Sequence, residues 1–526
     1  MSRNTPYPSF RNPASRSEGR LGARDTFGGQ GVLSVAMEWP LSSVGRGALA
    51  ALVGGIGLAG GCAPEPGDSR PSILLVVIDT LRADAVSAYG AVEGTTPAFD
   101  ALASEGLLYG RAFAPSPWTL PSHASLMTGL EVDRHGVGVG GQMGLRAEFA
   151  TLAERLLAAG YQTAGFSENP LVSDLFGFAQ GFERFAAVTV DDVIEEDERP
   201  GSLQFDIVEE VAAFAAGRDR ERPFFIFVNL FDPHSPYRDR GQNRFIGRGV
   251  SIGDTWTADA LKASPNRICD RLPPPEDLKQ LHGLYLGDVA AADAKLGKIA
   301  AIAREAAEGG LVSVATADHG EHFGEHRLLD HEFSVRAPVL SIPLAVHGLP
   351  GVRADRIEAP VTLVDVAASV LRWAGAEIPS EFAGRPLPIR KSEVDRSGVD
   401  LLAVYSDERL SVPEDWSEDL APAEAARDTK RSGCWPSDRV FGDMAALTRW
   451  PFKLIWFENY PAELYDLSWD PLERSDLAEL RPEVRGPLVE EAQHRVEELG
   501  LARAAGAVEL PSEAELEALR ELGYRE

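Results

Sequence analysis

Three runs of β-branched and aromatic residues constrain this chain more than any other feature: SILLVVID at 72–79, PFFIFVNLF at 223–231 and GLVSVATAD at 310–318. Each is apolar at consecutive rather than alternate positions. That pattern belongs to strands buried on both faces, as in parallel sheets covered by helices. YQTAGFS (161–167) reads as a further short strand, and 96–113, 150–159 and 277–308 as helices, the first carrying Phe99, Leu102 and Leu107 at helical spacing. The alternation predicts an α/β fold: a doubly wound, mostly parallel sheet with helices on both faces.

In open sheets of this kind, ligands bind beyond the C-terminal strand ends. Three runs end in polar residues there: Asp79, then Asp232 with His234, then Asp318 with His319. A single strand-end Asp is ordinarily a turn or helix cap. Three such ends, with a nucleophile candidate nearby, point to a site.

The flanks read differently. Residues 1–36 are rich in Ser, Gly, Arg and Pro without apolar periodicity, so no fixed fold is expected. Met37 then opens a stretch in which Arg46 precedes about fifteen small or apolar residues ending at Cys62. The run is too short and glycine-rich for a membrane span. It reads as a signal peptide (37–62), and LAGGC resembles a bacterial lipobox with Cys62 as the lipid-bearing residue. An exported lipoprotein, periplasmic or at the cell surface and held to the membrane only through Cys62, is the expectation. Residues 63–71 form a linker, 72–395 a catalytic domain, and 396–526 a smaller C-terminal α+β subdomain. Its last helix carries a Ser512–Glu515 capping box and a Gly523 stop. Cys269 and Cys434 are open to two readings, a disulfide in an oxidising compartment or two small buried residues. The net charge of −29 argues against nucleic acid, whose phosphates require clustered Lys and Arg.

VVIDTLRADAVSAYG, WTLPSHASLMTG, RHGV, FDPHSPY, TADHGEHFGEH and ELYDLSWDPLERSDLA follow one another along the chain. Together they resemble the sulfatase family of the alkaline phosphatase superfamily, from about residue 70 to the C-terminus. The resemblance implies that Asp79, Asp318 and His319 hold one divalent metal ion. It also implies that Thr119 occupies the position where sulfatases carry formylglycine. Thr80 stands where the family usually has a second Asp, and His319 where it often has Asn. With fewer carboxylates and an added imidazole, zinc or manganese is favoured over calcium.

Threonine cannot become formylglycine, because its β-carbon carries a methyl group. The resemblance implies that Thr119, as a further metal ligand, can attack directly through its hydroxyl, as in the nucleotide pyrophosphatases and phospho-head-group transferases of the same superfamily. Pro121 and Gly129 place Thr119 at or just before a helix N-terminus, where free N–H groups favour an anion. The alternative reading is that Thr119 is only an N-cap.

His331 lies near the family's substrate lysine, and His234 resembles its other substrate histidine, a leaving-group acid. His123 replaces the motif arginine, and Asn169 stands near the place of an absent GKWH stretch. These four are the expected substrate contacts. His322 and His326 read as structural or loop residues, and His135 as a turn. A second metal would need a His four residues after Asp232, where Pro236 stands, so a single metal is expected. The expected activity is hydrolysis of a small-molecule, glycan or lipid-derived anionic ester, phosphate mono- or diester or phosphonate more than sulfate. A phospho-head-group transferase and an inactive sulfatase-like surface binding protein are the alternatives.

Overall fold

The computed structural model describes residues 70–91, 94–139, 142–189, 192, 205–237, 245, 275–331, 334–393, 399–406 and 442–503. β1 (Ser72–Ile78) is buried at every position. It pairs in parallel with β5 (Phe224–Leu230) on one side and β6 (Leu311–Thr316) on the other, so that Val76 lies between Val228 and Ala315. This is why the three runs are so apolar: β1 and β5 are buried at every position and β6 at all but its first.

The remaining strands are β2 (Leu107–Phe113), β3 (Gln162–Ser167), β4 (Arg184–Ala187), β9 (Ser341–Ile342), β10 (Leu344–His347) and β11 (Asp355–Thr362). Between β6 and β9 the chain makes a small hairpin, β7 (His322–Phe323) with β8 (Leu329–Asp330). The nine-stranded sheet runs β11-β2-β10-β6-β1-β5-β3-β4, with β9 against β2. All pairings are parallel except those made by β10 and β9.

The helices are α1 (Pro97–Glu105), α2 (Thr119–Thr128), α3 (Val132–His135), α4 (Leu152–Ala158), α5 (Ile207–Gly217), α6 (Pro275–Ala306), α7 (Ala337–Leu340), α8 (Leu363–Trp373) and α9 (Pro482–Arg503). α1 and α5 pack with α6, while α2, α4 and α8 pack together, giving the sheet helices on both sides.

One expected helix is corrected. Residues 96–113 do not form a single helix: α1 stops at Glu105 and the chain enters β2. Gly106 makes the switch, lying so close to β10 that a Cβ there would sit 2.2 Å from the Val346 carbonyl oxygen. Leu107, read as the last apolar position of the helical spacing, is instead buried in the sheet with Leu108 and Tyr109.

The C-terminal part carries its own antiparallel sheet, β12 (Asp400–Tyr405), β13 (Met444–Arg449), β14 (Phe452–Phe457) and β15 (Glu463–Asp466), in chain order. α9 packs on it over a core that includes Leu402, Leu447, Leu454, Leu464 and Leu488. A buried polar network ties this sheet to the segment leading into α7. Lys453 Nζ donates to the Val335 carbonyl (2.7 Å) and to Glu473 (2.5 Å), and Arg336 donates to Glu463 (2.5 Å) and Tyr465 (3.3 Å).

The expected signal peptide with Cys62, both other cysteines and the expected Ser512–Gly523 helix end lie outside the described residues. No helix among the described residues is long and apolar enough to cross a membrane.

Candidate active site

The site forms where β1 and β6 end side by side. Asp79 follows β1, its backbone N–H still bonded to the Leu230 carbonyl at 2.9 Å. Asp318 and His319 follow β6, and all three side chains are fully buried. Thr80 takes φ +51°, a left-handed conformation that a β-branched residue seldom adopts. In that conformation its N–H points at Asp318 Oδ1 (3.2 Å), which also accepts from the His319 N–H at 2.8 Å. Asp318 Oδ2 is left 3.4 Å from His319 Nε2, and Asp79 Oδ1 lies 3.8 Å from the same nitrogen.

His319 Nδ1 faces the Gly320 carbonyl oxygen at 3.0 Å, which assigns the proton to Nδ1 and turns the Nε2 lone pair toward the two carboxylates. Among the described residues, no donor meets Asp79 Oδ1 or Asp318 Oδ2 in hydrogen-bonding geometry, although His123 Nδ1 stands 3.5 Å from Asp318 Oδ2. Burial pushes Asp79 up to about 7 although Asn169 hydrogen-bonds to it. Burial, and then the Asp79 carboxylate, push Asp318 well above the ordinary range, while burial holds His319 well below the usual imidazole range. Two dry, unsatisfied carboxylates facing an imidazole lone pair need either protons or a cation between them. Their oxygen and nitrogen donors fit a divalent metal.

Thr119 is the first residue of α2, with Trp118 at the cap position, and no side chain caps the helix. Its hydroxyl does not serve as an N-cap; it lies 3.5 Å from His319 Nε2, inside the ligand group. Gly129 ends the helix in the left-handed conformation, φ +70°.

Two expected substrate contacts are corrected. His123 is fully buried in α2, its Nδ1 donating to the Thr119 carbonyl (3.0 Å) and its Nε2 accepting from Asn229 Nδ2 (3.2 Å). Phe178 and Phe227 present their rings edge-to-face to it, and burial lowers its pKa to about 4, so it is a neutral wedge rather than an anion contact. Asn169 donates from Nδ2 to Asp79 Oδ2 at 2.6 Å and accepts the Leu171 N–H at 2.9 Å. It orients the Asp79 carboxylate and spends its amide there.

His234 and His331 do gather at the site. The His331 ring centroid is 4.5 Å from that of His319, and the His234 centroid is 5.3 Å from that of His331. His234 stacks on Phe231 at 4.5 Å, with Nδ1 against its neighbour's carbonyl. Burial works against charge on His331. Asp330 at 2.8 Å and Glu321 at 3.6 Å outweigh it and hold the ring well above the usual imidazole range.

Asp232 is engaged elsewhere: Lys295 Nζ bridges it (2.7 Å) to Glu168 (2.6 Å). His135, expected in a turn, is instead the last residue of α3, bonded to Ser125 and to the Val137 N–H. Sequence reasoning missed Asn229, whose signal was a lone amide in an apolar strand. It also missed Glu321 and Asp330, which stand among the histidines that follow Asp318.

The profile described as Sulfatase matches residues 71–376, more than half of the chain. The chain belongs to the sulfatase family. An N-acetylglucosamine-6-O-sulfatase of Bacteroides thetaiotaomicron is 24% identical, the alignment covering 78% of this chain and 82% of that protein. A multifunctional alkaline phosphatase superfamily protein of Trinickia caryophylli is also 24% identical, over 78% of this chain and 91% of the relative. Among solved structures, the phosphonate monoester hydrolase of Agrobacterium radiobacter superposes with a TM-score of 0.63 at 21% identity, covering 82% and 96% of the two chains, and so shares the fold. This sulfatase-family chain is a hydrolase of sulfate or phosphate esters.

Proposed function

We propose that the chain hydrolyses phosphate esters, as mono- or diesters or phosphonates, with the Thr119 hydroxyl as nucleophile and a divalent cation held by Asp79, Asp318 and His319. One observation carries this reading: the hydroxyl at the formylglycine position lies 3.5 Å from His319 Nε2, on a carbon that cannot become an aldehyde. The kinship with a multifunctional alkaline phosphatase superfamily protein supports phosphorus as the reacting centre.

A cation in this group would supply the positive charge that makes an alcohol acidic and polarises an ester oxygen. Thr119 is held for attack by α2, whose first-turn N–H groups favour an incoming anion. Its Oγ1–phosphorus bond forms as the bond to the leaving oxygen breaks, and the threonine proton passes to water. His234 is placed to give the leaving oxygen its proton. The charge beside it at His331 stabilises the dianion. Water then attacks phosphorus as the Oγ1–phosphorus bond breaks; one of its protons restores the Thr119 hydroxyl and the other stays on the released phosphate, phosphate monoester or phosphonate. Asn169 and Thr80 keep the two carboxylates aimed, and His123 ties down the first turn of α2 through the Thr119 carbonyl.

The test compares aryl phosphate mono- and diesters, an aryl phosphonate and an aryl sulfate. Thr119→Ala should abolish turnover of the phosphorus esters while retaining the metal, and Thr119→Ser should keep part of it. Turnover by Thr119→Ala at the wild-type rate, or a preference for the sulfate, overturns the reading.

A further inference from the structure

The chain beyond His319 builds a second acidic group that the reaction above does not use as ligands. Glu321 precedes β7 and Asp330 ends β8, with His331 directly after it. The pairing of His322 with Asp330 brings the two ends of the hairpin together. One donor atom from each of Glu321, Asp330 and His331 lies within 4.8 Å of the others. His331 Nδ1 is 2.8 Å from Asp330 Oδ1 and 3.6 Å from Glu321 Oε1. Glu321 is fully buried, and among the described residues neither of its carboxylate oxygens meets a donor in hydrogen-bonding geometry. Its neighbours are His331, at 3.6 Å, and the Tyr237 hydroxyl, and neither makes a short, well-directed contact with it.

The charges point the same way. Asp79 and Asp318 with Glu321 and Asp330 bring four carboxylates into neighbouring groups, linked by the packed rings of His319 and His331. One divalent ion offsets only half of that charge when all four are ionised. A phosphate ester, itself an anion, would enter against what is left. A second divalent ion brings the balance to neutrality before substrate arrives.

We propose that Glu321, Asp330 and His331 hold a second divalent cation beside the first. Two oxygens and one imidazole nitrogen suit zinc or manganese. The expected motif for a second metal, with His four residues after Asp232, is absent; these ligands come from the hairpin instead. When this ion is bound, it replaces the His331 proton as the source of positive charge. The inference leans on the preceding reading only for a first ion next door.

The full chain is dialysed against Mn2+ or Zn2+, freed of loose metal, and its ions counted per chain by plasma mass spectrometry. Two ions are expected in the wild type, one in Glu321→Gln and one in Asp79→Asn. The two-ion Mn2+ form should show an exchange-coupled paramagnetic resonance spectrum that both variants lose. One ion in the wild type, retained by Glu321→Gln and lost by Asp79→Asn, overturns the second site and leaves the first. Two ions retained by Glu321→Gln also overturn it, and none in the wild type overturns both sites. Thermal melts check folding; should Glu321→Gln fail to fold, Asp330→Asn, at the more exposed side of the group, replaces it with the same expected count.

Discussion

Asn169→Ala removes the donor that aims Asp79 without touching any proposed ligand. The lost bond is short, 2.6 Å, and its acceptor is a buried carboxylate. Charge-assisted bonds of this kind contribute about 1.5–3 kcal/mol. With 1.4 kcal/mol for each tenfold change, the cation's dissociation constant rises about 10- to 100-fold. The change also removes the acceptor of the Leu171 N–H, so the unfolding midpoint of the metal-free protein is measured alongside to separate loop damage from ligand aim. Competition with a chelator of known affinity, at fixed pH and salt, reads the constant. A dissociation constant within twofold of wild type, in a variant that folds normally, would refute the claim that Asn169 orients the ligand.

Lys453→Met leaves Glu473 buried without its closest cation and should destabilise the chain by about 3–5 kcal/mol in urea unfolding. Adding Glu473→Gln should recover part of that loss, whereas strictly additive losses contradict the coupling. Burial raises Asp293 from 3.8 to about 6, although it accepts the Ala98 and Phe99 N–H groups at the start of α1. Its folded pKa lies above its unfolded one, so its contribution to stability is complete below pH 3.8 and is lost as pH rises through about 6. Relative to Asp293→Asn, wild-type stability should therefore fall by about 2.4 kcal/mol between pH 4 and pH 7.5, and a difference independent of pH would contradict the assignment.

Much of the centre was legible because one physical cause produced both signals. Strands sealed on both faces must be apolar throughout, so the polar residues that end them, Asp79 and Asp318, stand out. The place of Thr119 at the start of α2 was legible through Pro121 and Gly129. β2 was hidden because its apolar residues continue the spacing of α1 across Gly106, and the break depends on how near β10 passes. The reversed direction of β10 is a matter of pairing, which four residues do not announce. The roles of His123 and Asn169 depend on which neighbours the fold supplies: Asn229 and Asp79 reach them from strands distant in sequence. Glu321 and Asp330 stood in plain view among histidines, but only the β7–β8 register joins them.

β1 and β6 are neighbours in space, yet nearly the whole catalytic sequence is threaded between them. A nascent chain therefore has Asp79 long before it has Asp318 and His319, and no complete grip on an ion until the late strand has slotted home. Capture of the proposed ion must therefore await the pairing of β6 with β1.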